Sequence, residues 1–207
     1  MNFNGTAGIW RKQAIEAAGG WQHDTLTEDL DLSYRAQLAG WKATFVPDVI
    51  VPAEVPETVA AFKSQQFRWA KGSIQTAIKL FPTILKSDLS FFQKVQAYFH
   101  LTHYSIHPFM VILAILGLPV ILAAESRITT GMFLGIGSLM SLATFAPSTL
   151  YWYSQKQAGI HWASRLWGIP ILMFTGVGIA ISNTRAVLEA ILGIQSGFIR
   201  TPKRGDK

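Results

Sequence analysis

Three stretches of this chain carry side chains that could do chemistry together. The first is Thr27-Glu28-Asp29. A carboxylate held at a helix start on the rim of a cleft can act as a general base toward an attacking hydroxyl. The same placement also simply complements the positive end of a helix dipole. The second is Gln65-Gln66-Phe67-Arg68-Trp69, where Gln65, Arg68 and Trp69 fall at i, i+3 and i+4 and share a helix face. An amide, a guanidinium and an indole on one face suit a sugar–pyrophosphate ligand. Arginine pairs bidentately with phosphate oxygens, and the indole offers a flat apolar surface to a pyranose ring. The competing reading is an amphipathic helix whose Trp69 packs in a core. The third is Phe198-Ile199-Arg200-Thr201-Pro202-Lys203-Arg204-Gly205, whose basic residues equally suit anionic lipid beside a membrane.

Other constellations carry less. Asp29 and Asp31 form an Asp-x-Asp, but on a helix start Asp31 reads as a solvated acid rather than a metal ligand. His100, His103 and His107 have helical spacing without an acidic partner nearby in sequence, and read as interfacial aromatics. Arg185 and Glu189 at i, i+4 read as a surface pair. Gly131, Gly135 and Gly137 offer small-residue packing between membrane helices. The chain has no cysteine, so it has no disulfide framework and no thiolate metal site.

The elements that must position these residues follow from local signals. Asn4-Gly5-Thr6-Ala7-Gly8 reads as a loop leading into a short strand. Arg11–Ala18 is helix-like and is stopped by Gly19-Gly20. Thr27 reads as an N-cap, with Glu28, Asp29 and Asp31 in the first turn; Leu30, Tyr34 and Leu38 then share one face up to Gly40. Thr44–Val51 is β-branched and apolar and reads as strand, and Glu57–Leu80 reads as a long helix interrupted at Gly72. Residues 1–86 are therefore expected to be α/β.

Charge divides the chain. Only 14% of residues are charged, against about a quarter in soluble domains. Between Tyr98 and Ser182 the only charged residues are Glu125, Arg127, Lys156 and Arg165. Residues 87–181 therefore read as a membrane region. It would comprise an interfacial helix over Ser87–Phe99, spanning helices over Pro108–Ala124 and Gly131–Tyr153, and a short or re-entrant run over Leu166–Ile181. Residues 182–207 read as an interface helix with a basic tail. The net charge is +6, but Lys79, Lys86 and Lys94 precede the apolar segments and Arg200, Lys203, Arg204 and Lys207 follow them. That placement obeys the positive-inside rule and argues against nucleic acid as a partner.

Taken in order, the three motifs resemble the family 2 glycosyltransferases of the cellulose-synthase-like group. Phe3 with Asn4–Gly8 is similar to that family's acceptor-side loop, Thr27-Glu28-Asp29 to its TED motif, and Gln65–Trp69 to its Q(Q/R)xRW motif. Ala18-Gly19-Gly20-Trp21, Leu38–Lys42 and Glu54-Val55-Pro56-Glu57 are similar to mannan- and xyloglucan-backbone synthases. The tail is similar to the family's gating loop through Phe198, Thr201 and Lys203, although Arg200 stands where valine is usual.

The resemblance implies a fold: the acceptor-side, C-terminal half of an α/β GT-A domain, followed by interfacial and transmembrane α-helices. It also implies a chemistry, inverting transfer of a hexose from a nucleotide sugar (UDP-glucose or GDP-mannose) to a glycan or lipid acceptor. Asp29, with Glu28 and Thr27, would be catalytic. Gln65, Gln66, Arg68, Trp69, Gly5 and Thr6 would bind acceptor and diphosphate. A divalent cation (Mg or Mn) would be held by a DxD motif in a preceding nucleotide-binding half, with no metal ligand in these residues, so the chain is expected to be a fragment that is inactive alone. The catalytic part would face the cytoplasm, as in a bacterial inner membrane. Two alternatives stand beside this reading: a transferase that adds one sugar to a membrane lipid, and a non-enzymatic membrane scaffold or relic.

Overall fold

A computed structural model describes residues 3, 5–46, 48–124, 129–157 and 167–197 of the chain. The described residues form helices α1 (Lys12–Ala17), α2 (Glu28–Leu38), α3 (Val59–Lys86) and α4 (Phe91–Thr102). A 3-10 turn (His103–Ser105) follows, then α5 (Ile106–Ala124), α6 (Thr130–Gln157), α7 (Gly168–Gly178) and α8 (Ala180–Ile191).

The expected α/β class is wrong: no strand occurs among the described residues. Thr44–Val51 has the composition of a strand, yet Phe45, Val46, Val49, Ile50 and Val51 are exposed. Among its described residues the one backbone hydrogen bond is a local turn from Val49 N–H to the Val46 carbonyl at 3.4 Å. β-Branched residues favour a pleated, half-buried surface, and without a neighbouring strand to complete the ladder that preference has nothing to act on. The stretch from Gly5 to Trp10 is likewise bends and extended chain.

Two compact units are present, one comprising Met1–Phe109 with Ile181–Lys207 and the other Met110–Ala180. In the first, α3 is the hub. Thr58 opens it by accepting from Ala61 N–H at 3.1 Å. It then runs unbroken through Gly72, where an interruption was expected. One side of α3 buries Ala77, Leu80 and Ile84 against Tyr34 of α2 and Ala97 and Leu101 of α4. Ile84 and Leu101 are fully buried, and each contributes about 1.5–3 kcal/mol. Another side sets Ile74 against Val187 and Ala190 of α8, with Tyr104 alongside. A smaller core gathers Ala18, Leu32 and Ala36 with Trp10, Ile15 and Trp41. Helix α4 starts with a capping box in which the Ser90 hydroxyl accepts from Gln93 N–H and the Gln93 amide oxygen accepts from Ser90 N–H.

The expected runs Pro108–Ala124 and Gly131–Tyr153 fall inside α5 and α6. Phe91–Gly117 is long and apolar enough to cross a membrane, and Gly168–Gly178 with Ala180–Ile191 qualifies as one interrupted segment. In the second unit Ile112, Leu113, Ile115, Leu116, Met132, Leu134, Leu150, Ile171 and Phe174 are exposed. Apolar surface on this scale is what lipid-facing helices carry.

Candidate functional site

Thr27, Glu28 and Asp29 stand at the junction of three elements. Thr27 occupies the position before α2, but its hydroxyl makes no cap hydrogen bond. It lies instead 3.2 Å from the hydroxyl of Thr76 on α3, and both residues are buried. Next to it, Leu26 N–H donates to the Gln75 side-chain oxygen at 3.0 Å. Gly72 makes this approach possible. A Cβ built there would stand 2.5 Å from Thr27 Cγ2 and 2.8 Å from both its backbone nitrogen and its hydroxyl oxygen. The glycine is a notch in α3 that receives the residue before α2, and that is why it sits inside a helix despite its low propensity.

The loop ahead of α1 closes over the other side of Asp29. Phe3 N–H donates to Ser33 Oγ of α2 at 3.0 Å, and the Phe3 ring lies against Gly8 and edge-on to Trp10 at 5.5 Å. Gly5, with φ of +82°, then passes so close to Asp29 that a Cβ would fall 2.5 Å from Oδ2 and 3.3 Å from Cγ. Only glycine combines that backbone angle with that approach. Thr6 is exposed.

Asp29 is half-buried, and burial pushes its carboxyl above the usual value of 3.8. Hydrogen bonds from the backbone of Leu30 and of Asp29 itself pull it back, the charge of Glu28 raises it further, and the charge of Arg68 opposes the rise. A carboxylate made more basic by burial is suited to accept a proton. Arg68, Gln65 and Gln66 are half-buried, and Trp69 retains 39% exposure. The Tyr104 hydroxyl donates to the Gln66 side-chain oxygen at 3.4 Å. Trp69 is therefore not a core residue. Phe198, Thr201 and Lys203 lie outside the described residues.

Two sequence expectations are corrected here. Asp31 is fully buried rather than solvated. Its Oδ2 faces Arg35 Nη2 at 2.6 Å and its Oδ1 faces Lys79 Nζ at 3.0 Å. The i, i+4 spacing of Asp31 and Arg35 was legible in the sequence, whereas the approach of Lys79 from another helix was not. Likewise Glu189 is more than a surface partner of Arg185. It also binds Lys71 of α3 at 2.7 Å, and Lys71 is completely buried. The histidines stack with tyrosines: His100 Nδ1 lies 2.9 Å from the Tyr34 hydroxyl, and His107 Nε2 lies 2.9 Å from the Asn183 amide nitrogen. No cluster of three or more metal-ligating side chains occurs among the described residues.

The charge of Arg68 acts on the Asp29 carboxyl, and the exposed Trp69 follows Arg68 on α3. The sequence matches the family described as Glycosyl transferase family group 2 over residues 3–177. The chain belongs to that family. Among its relatives, a protein of Oryza sativa subsp. japonica described as probable glucomannan 4-beta-mannosyltransferase 11 is 45% identical over 100 residues. That match covers 48% of this chain and 18% of the relative. A second rice protein, described as probable glucomannan 4-beta-mannosyltransferase 7, is 47% identical over 95 residues, covering 45% of this chain and 16% of the relative. The matched stretch is thus under a fifth of either relative's length. Both are plant proteins, so they lend nothing to the expectation of a bacterial inner membrane. No solved structure matches the chain.

Proposed function

We propose that this chain forms the acceptor-side part of a membrane-bound inverting glycosyltransferase that adds hexose from a nucleotide sugar to a growing β-glycan. The observation that carries the reading is the placement of Asp29, packed on Gly5, raised in basicity by burial and within the field of Arg68. In a single displacement the acceptor hydroxyl oxygen bonds to the anomeric carbon as the bond to the diphosphate oxygen breaks. Asp29 takes the hydroxyl proton. Arg68 stabilises charge on the departing diphosphate, and Trp69 offers its exposed face to the acceptor sugar. The names of the rice relatives favour a mannosyl donor, hence GDP-mannose over UDP-glucose.

Members of the family generally use a divalent cation. The described residues do not fit one: no three metal-ligating side chains cluster among them, and both oxygens of Asp31 already face cations. Its ligands would come from elsewhere in the enzyme, and no step above runs through it. Gating by the tail through Phe198, Thr201 and Lys203, and the placing of α5 and α6 across a membrane, belong to the same proposal.

The test is a transfer assay on membranes containing the enzyme with a complete donor site, supplied with labelled GDP-mannose or UDP-glucose. Polymer formation that is lost in Asp29→Asn supports the reading. A product limited to a single-sugar lipid would transfer the proposal to lipid glycosylation. Undiminished polymer formation by Asp29→Asn would end it.

A further inference from the structure

Asp31 is the most completely enclosed acid in the described structure, and the mechanism above does not use it. Its Oδ2 accepts from Arg35 Nε at 2.8 Å as well as facing Nη2, and its Oδ1 faces Lys79. Each cation has a second engagement. Arg35 Nη1 donates to the carbonyls of Ala18 and Gly20, the latter at 2.9 Å. Lys79 Nζ donates to the Gln22 side-chain oxygen at 2.6 Å and to Asp24 Oδ1 at 2.7 Å. Ala18, Gly20, Gln22 and Asp24 are therefore all tied to one buried carboxylate through two cations. The same loop runs on to Leu26 and Thr27, which α3 holds, and delivers Asp29 two residues ahead of Asp31.

We propose that Asp31 is a positioning residue: with Arg35 and Lys79 it fixes the loop from Ala18 to Thr27, and so holds the Asp29 carboxylate in its half-buried place against Gly5. The claim deepens the transferase reading and rests on it for its functional meaning. A neutral side chain at position 31 would leave the largely buried Arg35 guanidinium without its carboxylate and Lys79 with only the exposed Asp24 as counter-charge, and the loop would be released. Asp29 would then gain water and lose the environment that makes it basic, while its charged neighbours Glu28 and Arg68 stay in sequence where they are.

The test reads Asp29 directly and needs no turnover. The 207-residue chain has six aspartates, so aspartate carboxyl carbons labelled with 13C can be followed by NMR in detergent across a pH titration. Asp29→Asn assigns the signal. Asp31→Asn and Lys79→Met should each move the Asp29 midpoint down toward the ordinary carboxylate value, whereas Lys79→Arg should leave it in place. Ile84→Ala removes a fully buried side chain near the far end of α3 and serves as the control for simple loss of stability. It should lower the melting temperature without moving Asp29. An unchanged Asp29 midpoint in Lys79→Met and Asp31→Asn, or an equal shift in Ile84→Ala, overturns the proposal. Should Asp31→Asn not fold, Lys79→Met decides. A fully active Asp29→Asn enzyme would end the transferase reading while leaving this result intact, so the two failures can be told apart.

Discussion

Gly72 of α3 and Thr27 ahead of α2 are in contact at a point where no side chain fits between them: a Cβ on Gly72 would meet the Thr27 backbone nitrogen at 2.8 Å. Forty-five residues of chain separate them, yet this contact sets where the Thr27-Glu28-Asp29 turn sits relative to Arg68, four residues before the glycine.

Gly72→Ala should therefore destabilise the protein. Helix propensity alone favours alanine by about 1 kcal/mol. Overpacking against backbone costs about 1–3 kcal/mol, and the clash includes an atom that cannot rotate away. The expected net effect is a lower melting temperature in detergent, with a larger loss for Gly72→Val. A rise in melting temperature for Gly72→Ala would mean that α2 can withdraw freely.

The raised Asp29 carboxyl gives stability a signed dependence on pH. The folded state holds this proton more tightly than the unfolded chain, so the contribution is fully present below 3.8 and is lost as pH rises through the raised folded value. Asp29→Asn cannot ionise and escapes that loss. Its melting temperature should exceed that of the wild type at pH 7, and the gap should close on acidification. In the enzyme with a complete donor site the same substitution should reduce turnover by about 10²- to 10⁴-fold. A variant equally stable at every pH would contradict the burial of this carboxyl.

Trp69 is exposed enough to predict a division between stability and activity. Truncating a core tryptophan costs about 3–5 kcal/mol, but substitution of a surface residue usually stays within about 0.5 kcal/mol. Trp69→Ala should melt close to wild type and lose acceptor use, while Trp69→Phe recovers part of the activity. A large fall in melting temperature, with activity per folded molecule intact, would take Trp69 out of the site.

The pair Lys71–Glu189 joins α3 to α8 across 118 residues of sequence. Glu189→Gln leaves the fully buried Lys71 without its counter-charge and should cost about 3–5 kcal/mol. Lys71→Met should cost less, because Glu189 keeps Arg185 at 2.7 Å and packing replaces the lysine stem. Melting curves of both variants and the double variant check the asymmetry. Equal losses would place the pair on the surface energetically.

What the sequence determined by itself is local. Motif order and spacing announced the family, Gly19-Gly20 and Gly40 ended α1 and α2 where expected, and the apolar runs marked α5 and α6. These signals are carried by adjacent residues, through backbone conformation and helical periodicity, and need no distant partner. The tertiary structure decided everything that depends on who sits opposite. The Thr44–Val51 run has strand composition but no neighbouring strand among the described residues. Asp31 has the composition of a solvated acid, yet Lys79 arrives from α3 to neutralise it in the interior. Gly72 looks like a helix breaker until Thr27 occupies the space its missing side chain leaves. A charge or a glycine takes its meaning from the field and volume around it, and in a folded chain these come from residues tens of positions away.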